Sequence, residues 1–366
     1  MKIFIFKQTL EYGGSSKMMI FIANALAKIG HEVIIFMYEN ATEEDVRKIT
    51  LQKLNNRVKF IEYNGIAVSS NKHINNIKII KKTIAEQRPD VIVSFLTFPN
   101  FYATIVGNLL GIPVIISERG NPYVIKNIKD KIVYSFFNFA SGAVFQTEGA
   151  KAYFSKRLQK QSCVIPNPVV RENDNVRFDT STDNHEIVFI ARFENMQKRQ
   201  DLMVNALEKV VKVFPDTILK FYGTGKDLPM IENIVKEKNL ESNVRFIGYT
   251  NNPEEEMVKS EVFVLTSDYE GIPNSLIEAM SVGMPVVSTD CDPGGARMLI
   301  EDGVNGILVP KNDAQGIADA IIRIFKDKEL REKLSREAYK ITEKYTEEKI
   351  AEQWHDYITS VAKRHK

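Results

Sequence analysis

Cysteine is nearly absent from this chain. Two residues in 366, Cys163 and Cys291, lie far apart and show no metal-ligand spacing. So few cysteines exclude a disulfide-stapled secreted scaffold, and without an export signal they point to the reducing cytosol. Histidine is also scarce: five scattered residues argue against a His-based metal centre. No apolar run reaches the roughly 18 residues of a membrane-spanning helix. The apolar opening at residues 1–6 turns polar at Lys7. It is too short for the apolar segment of a signal peptide and reads as a first strand. Low-complexity tracts and short repeats are missing as well.

The bulk composition, 44% hydrophobic and 26% charged, is that of an ordinary globular protein. The length implies two domains. The net charge of +2 conceals an asymmetry: residues 1–168 carry 22 Lys and Arg against 12 Asp and Glu, and the remainder carries 27 against 35. A basic half points toward an anionic partner, whether nucleic acid, a phosphorylated ligand or an anionic membrane.

Short β-branched runs alternate with helical patterns through both halves. Strands are expected near 2–6, 32–38, 58–63, 91–96, 113–117, 142–147 and 162–166, then near 186–191, 218–222, 244–248, 262–267, 285–289 and 306–309. Near-continuous apolar strands separated by helices imply parallel sheets covered on both faces. Two such series imply two Rossmann-like, doubly wound α/β domains. The polar, aperiodic segment 169–184 reads as a linker between domains 1–168 and 185–345. From Asp313 onward the pattern is helical. The last segment, 346–366, sets Ile350, Trp354, Tyr357, Ile358 and Val361 on one stripe. It reads as a packing helix, able to return to the first domain.

Ligands of open α/β sheets bind beyond the carboxyl ends of the strands. After the first strand, Gly13 and Gly14 open a helix, where backbone N–H groups can approach a phosphate or sugar, although a plain tight turn explains them equally. Arg192 follows the first strand of the second half and Lys198 begins the next helical region. Two cations there suit a diphosphate, one as a fork and one as a point charge. Gly223 follows the next strand and again permits close backbone approach. Between 267 and 287 stand two glutamates. Ser275 and Glu278 match a capping box, a structural reason for Glu278. Glu270 lies in the preceding loop, where Gly271, Ile272 and Pro273 offer it no partner. A carboxylate so placed can accept hydrogen bonds from sugar hydroxyls or stabilise positive charge on a sugar ring.

Together these pieces resemble the retaining GT-B glycosyltransferases of family 4. The resemblance runs through GG at 13–14, GHEV at 30–33, FQTE at 145–148, IPNPV at 165–169, EGIPNSLIEAM at 270–280, GMPVVSTD at 283–290 and NGILVP at 305–310. It implies a nucleotide-diphosphate sugar, UDP-linked by preference, held mainly by the second domain, with a glycan acceptor on the first. By position, Arg192 and Lys198 would neutralise the diphosphate and Glu270 would contact the donor sugar as the catalytic residue. Glu278 would bind ribose, and backbone N–H groups of Asn274, Ser275 and Leu276 would hold phosphate. Gly14 would lie against the diphosphate and Tyr249 would face the base. No cofactor or metal is implied. Many relatives carry a histidine where this chain has Glu118 and Arg119, so these two become candidates for the acceptor or the cleft.

Basic, partly amphipathic segments at 71–88 and 126–140 suggest that the first domain docks on an anionic cytoplasmic membrane surface. A lipid-diphosphate-linked acceptor would follow, as in capsule or O-antigen assembly. Three other readings compete: an epimerase or phosphorylase of the same shape, a metal-dependent transferase using Asp290 and Asp292, and a nucleic-acid binder. No recognition motif supports the last, and no nucleic acid is expected as partner.

Overall fold

The structure, a computed structural model, describes residues 1–10, 14–39, 44–63, 71–124, 127–171 and 173–365. The chain divides into two compact units: residues 1–167 with 348–366, and residues 168–347.

Unit 1 begins β1 (Lys2–Lys7), α1 (Gly14–Ile29), β2 (Glu32–Met37), α2 (Glu44–Lys53), β3 (Val58–Glu62), α3 (Lys72–Gln87) and β4 (Val91–Phe95). It continues α4 (Thr97–Leu110), β5 (Val114–Glu118), α5 (Ile128–Phe136), β6 (Gly142–Phe145), α6 (Glu148–Ala152), α7 (Lys156–Lys160) and β7 (Ser162–Val164). Its seven strands are all parallel, in the order β3-β2-β1-β4-β5-β6-β7. β4 and β5 are buried along their whole length. That is why both read as largely apolar runs rather than alternating ones.

Unit 2 contains β8 (Glu186–Ile190), α8 (Asn195–Lys198), α9 (Gln200–Val210), β9 (Ile218–Tyr222), α10 (Leu228–Glu237), β10 (Val244–Gly248) and α11 (Pro253–Met257). There follow β11 (Val262–Leu265), α12 (Asn274–Ser281), β12 (Val286–Thr289), α13 (Gly295–Leu299) and β13 (Ile307–Val309). The unit closes with α14 (Ala314–Lys326), α15 (Lys328–Tyr339) and α16 (Ile341–Lys344). Its six strands are again all parallel, ordered β10-β9-β8-β11-β12-β13. All thirteen expected strands are present, their ends within two residues of expectation.

Residues 169–184 hold no helix or strand among their described positions. They run against unit 2: the Val169 N–H donates to the Tyr345 carbonyl at 2.8 Å, and the Phe178 N–H to that of Val282 at 2.8 Å. The final helix, α17 (Glu347–Arg364), joins unit 1 from Glu348 onward. Ile350, Trp354, Ile358 and Val361 are buried on one stripe, and the Trp354 ring lies 6.1 Å from that of Phe95. Tyr357, on the margin, receives the Ala143 N–H on its hydroxyl at 2.9 Å. Among the described residues no helix is long and apolar enough to cross a membrane.

Candidate functional site

In each sheet the strand order reverses once, and neighbouring crossovers leave in opposite directions there, opening a crevice at the carboxyl ends. In unit 2 the reversal lies between β8 and β11. The loop after β8 leads into α8, a single turn ended by Arg199 in the left-handed region (φ 52°). Arg199 is held there by Asp201 at 3.0 Å and Asp268 at 3.1 Å. The Thr266 hydroxyl donates to the carbonyls of Lys198 (3.0 Å) and Arg199 (2.7 Å), and the Asp268 N–H donates to the Gln197 carbonyl at 2.8 Å. These bonds join α8 to the loop after β11, and they bring Lys198 onto Glu270.

Glu270 is 7% exposed. Its Oε1 accepts from Lys198 Nζ and from the Ser267 hydroxyl (2.8 Å), and its Oε2 receives a long contact from Gln197 Nε2 (3.4 Å). These partners are not Gly271, Ile272 or Pro273, the neighbours weighed in the sequence: Ser267 lies three positions upstream, and Gln197 and Lys198 of α8 some 70. Such a pair stays useful to a ligand. An ammonium has three donors and a carboxylate about four acceptor positions, so each partner retains capacity after binding the other. The loop is pinned from a third side. The Glu270 N–H donates to the Asp292 carbonyl at 3.0 Å, and the Thr289 hydroxyl donates to the Ser267 carbonyl at 2.6 Å. At Gly295 a Cβ would stand 1.6 Å from the Gly271 carbonyl oxygen, so only glycine lets α13 approach this closely.

The capping box does not form. Pro273 is the N-cap of α12 and no side chain caps it. Helix entry at Asn274 moves Ser275 and Glu278 inside the helix, so the capping explanation of Glu278 falls. Asn274, Ser275 and Leu276 make up the first turn, the positive end of the helix. The Leu276 N–H donates to the Pro273 carbonyl at 3.2 Å. Arg192 is exposed and paired with Glu194 at 3.3 Å. Gly223 (φ 132°) serves loop packing, because a Cβ there would lie 2.0 Å from the Ala191 carbonyl oxygen. Tyr249, just beyond β10, is exposed. Asp290 pairs with Arg297 at 2.5 Å, and Asp292 with Lys311 at 3.6 Å. Among the described residues no group of three or more His, Cys, Asp or Glu side chains could hold a metal ion.

In unit 1 the reversal lies between β1 and β4. Gly13 lies outside the described residues, and Gly14 is the first residue of α1. Glu118 and Arg119, expected at a ligand, are turned inward. Burial raises the Glu118 pKa, although the carboxylate accepts from the N–H groups of Arg119 (3.1 Å) and Gly120 (3.2 Å) and from the Thr97 hydroxyl (3.2 Å). The Arg119 guanidinium lies 5.7 Å from the Phe95 ring and 5.9 Å from that of Trp354, and donates to Asn167 Oδ1 at 3.2 Å. It serves to seat α17. The residue pattern at 117–122 carries no sign of this, since Trp354 is more than 200 positions away.

The sequence matches the family model described as Glycosyl transferases group 1 over residues 170–341, and that of Glycosyltransferase Family 4 over residues 12–173. The poly(glycerol-phosphate) alpha-glucosyltransferase of Bacillus subtilis is 31% identical over 64% of this chain, which spans only 35% of that protein. A Campylobacter jejuni relative, GalNAc-alpha-(1->4)-GalNAc-alpha-(1->3)-diNAcBac-PP-undecaprenol alpha-1,4-N-acetyl-D-galactosaminyltransferase, is 27% identical over 99% of both chains. Among solved structures, that of Anabaena HepE in complex with UDP and glucose superposes with a TM-score of 0.82, covering 98% of this chain and 100% of that one at 18% identity. At that identity the likeness concerns the fold.

Proposed function

The chain belongs to the group 1 glycosyltransferases and has their GT-B fold; from that premise we propose that it transfers a hexose or N-acetylhexosamine from a UDP-sugar to a glycan, with retention at the anomeric carbon. The observation that carries the reading is the Lys198–Glu270 pair at the unit 2 switch point, beside the first turn of α12. A diphosphate there meets an ammonium with donors to spare and the positive end of a helix. Oε2 of Glu270, which carries only the long Gln197 contact in the hydrogen bonds described above, is the oxygen with room for a sugar hydroxyl. Arg192, exposed on the loop after β8, is free to swing from Glu194 to a phosphate. Tyr249 and Glu278 take the base and the ribose in this reading.

The chemistry balances without an added reagent. The bond from the anomeric carbon to the diphosphate oxygen breaks, and its electron pair leaves with the diphosphate. The acceptor hydroxyl bonds to the same face, and its proton passes to the departing oxygen. Lys198 and the helix end stabilise the leaving charge, so catalysis is positioning plus electrostatics. No metal takes part in this proposal. The acceptor is proposed to be lipid-diphosphate-linked, as the name of the Campylobacter relative suggests, with unit 1 on the cytoplasmic face of a membrane during surface-polysaccharide assembly. The test is a panel of nucleotide sugars assayed with lipid-linked acceptors, with and without EDTA. Transfer with retained configuration and EDTA insensitivity is expected. Isomerised sugar or sugar phosphate as the sole product would instead indicate an epimerase or phosphorylase.

A further inference from the structure

We propose that Arg199 is a positioning residue for the transfer step: its guanidinium locks the loop that carries Glu270 onto the end of α8, and so sets the rate of transfer rather than the affinity for UDP. The effect on rate rests on the transferase reading; the lock itself does not.

Arg199 stands where the backbone favours glycine. It ends α8 and begins α9 with φ 52° and ψ 49°, the left-handed region, in which a β-carbon crowds the following carbonyl. Its side chain gives α9 no cap. Neither backbone preference nor capping accounts for an arginine here, so the reason lies in what the guanidinium holds.

All three guanidinium nitrogens are engaged. Nε and Nη2 donate to Oδ1 and Oδ2 of Asp201, at 3.0 and 3.1 Å. Nη1 donates to both carboxylate oxygens of Asp268, each at 3.1 Å, and to Asn312 Oδ1. One planar fork thus ties together the first turn of α9, the loop after β11 and the loop after β13. The Arg199 side chain is 20% exposed, and those of Asp201 and Asp268 are 24% and 30%. Solvent screens such pairs less than it would on an open surface.

The end of α8 grips three consecutive loop residues. Arg199 holds the Asp268 carboxylate, Gln197 Nε2 donates to the Tyr269 carbonyl at 3.2 Å, and Lys198 Nζ donates to Glu270 Oε1. In the proposed reaction Lys198 also serves the diphosphate, and the Gln197 bond is a single one. Arg199 has no such second duty, and its fork constrains orientation as well as distance. A carboxylate clamped two residues before Glu270 determines where the loop places its own. Misplacement by about 1 Å can cost about a hundredfold in rate. Lys198 is secured separately, because the Thr266 hydroxyl holds the Lys198 and Arg199 carbonyls at 3.0 and 2.7 Å. Those bonds survive loss of the guanidinium, so UDP should still bind when the lock is opened.

Arg199→Gly tests this, because glycine keeps the left-handed turn and removes only the fork. Turnover is read as UDP release from UDP-glucose, UDP-galactose and their N-acetylhexosamine counterparts with lipid-linked acceptors. UDP affinity is read by calorimetry, and circular dichroism verifies folding at the assay temperature. Turnover is expected to fall about tenfold or more, with UDP affinity within about twofold of native. Lysine has no fork, so Arg199→Lys should lose turnover likewise. Asp268→Ala, which leaves the helix end untouched, should repeat the loss. The double variant Arg199→Gly with Asp268→Ala should fall no further than the worse single one, because both act through one contact. Native turnover in Arg199→Gly or Arg199→Lys overturns the proposal. So do parallel losses of turnover and UDP affinity, or additive losses in the double variant. Hydrogen exchange reads the lock without any reaction. Peptides spanning 266–272 should exchange about tenfold faster in Arg199→Gly while those of β11 keep their rates; unchanged exchange overturns the lock. Faster exchange in the variant, together with no transfer by the native protein from any of these donors, would remove the transferase reading and leave the lock standing.

Discussion

At the scale of the residue, the proposed chemistry rests on a nearly buried ion pair, with Lys198 and Glu270 side chains 13% and 9% exposed. Removing one partner of such a pair strands the other charge, at about 3 kcal/mol. Lys198→Ala should therefore lower the melting temperature and weaken UDP binding about tenfold or more, both readable by calorimetry. Glu270→Gln keeps an acceptor for Lys198 and Ser267 while removing the charge. It should fold normally and lose about 10²–10³ in turnover, the typical cost of removing one electrostatic contributor to a transition state. Full activity of this variant would dismiss Glu270 as catalytic. Both residues stood out singly in the sequence; their contact did not, because 72 positions separate them. Gln197 and Ser267 gave no signal at all, being ordinary polar residues until the fold aims them at one carboxylate.

At the scale of the element, the loop 266–273 takes its shape from α8 on one side and α13 on another. Gly295→Ala would force a Cβ into the Gly271 carbonyl at 1.6 Å. The backbone must shift, and a loss of about 1–3 kcal/mol is expected, as for overpacking elsewhere. Activity should fall at temperatures where the variant is still folded, because the displaced loop carries Glu270. The helix α17 offers a different test. His355 Nδ1 lies 3.0 Å from His31 Nε2, and the amino terminus lies 3.3 Å from His31 Nδ1. Burial first, then the terminal charge and His355, lower the His31 pKa. The native state thus takes up this proton less readily than the unfolded chain. The stability it confers is fully present above the unfolded pKa, about 6.5, and is lost as the pH falls from there through the lower folded value. Amide exchange in α17, corrected for intrinsic rates, should be faster at pH 5.5 than at 7.5, and His31→Asn should flatten the difference. Strand positions were legible beforehand because apolar runs buried on both faces have no competing explanation. The start of α12 was not. Ser275 and Glu278 have capping-box spacing, but Pro273 takes the cap position two residues before Ser275.

At the scale of the whole molecule, the charge divides between the units. Unit 1 has 26 Lys and Arg against 15 Asp and Glu; unit 2 has 23 against 32. Unit 1 also exposes Ile74 of α3 and Ile128 and Ile132 of α5, beside Lys72, Lys129 and Lys131. Apolar side chains among lysines are the chemistry of an interfacial membrane contact. Co-sedimentation with phosphatidylserine vesicles should be substantial at about 0.1 M salt and fall sharply near 0.5 M, as screening shortens the reach of the lysines. Ile128→Glu combined with Ile132→Glu should reduce it at low salt too. Binding indifferent to salt would remove the electrostatic account.

The sequence by itself determined the two parallel sheets and the family. These follow from local periodicity and from short motifs that survive being read one at a time. Tertiary structure alone decided what those residues touch. It turned Arg119 inward beneath Trp354, gave Glu270 its lysine, removed the cap from Glu278, and forced Leu96 into a glycine conformation where β4 passes into α4. Each depends on atoms brought together across tens to hundreds of positions, and burial and pairing are properties of that proximity rather than of any stretch of chain.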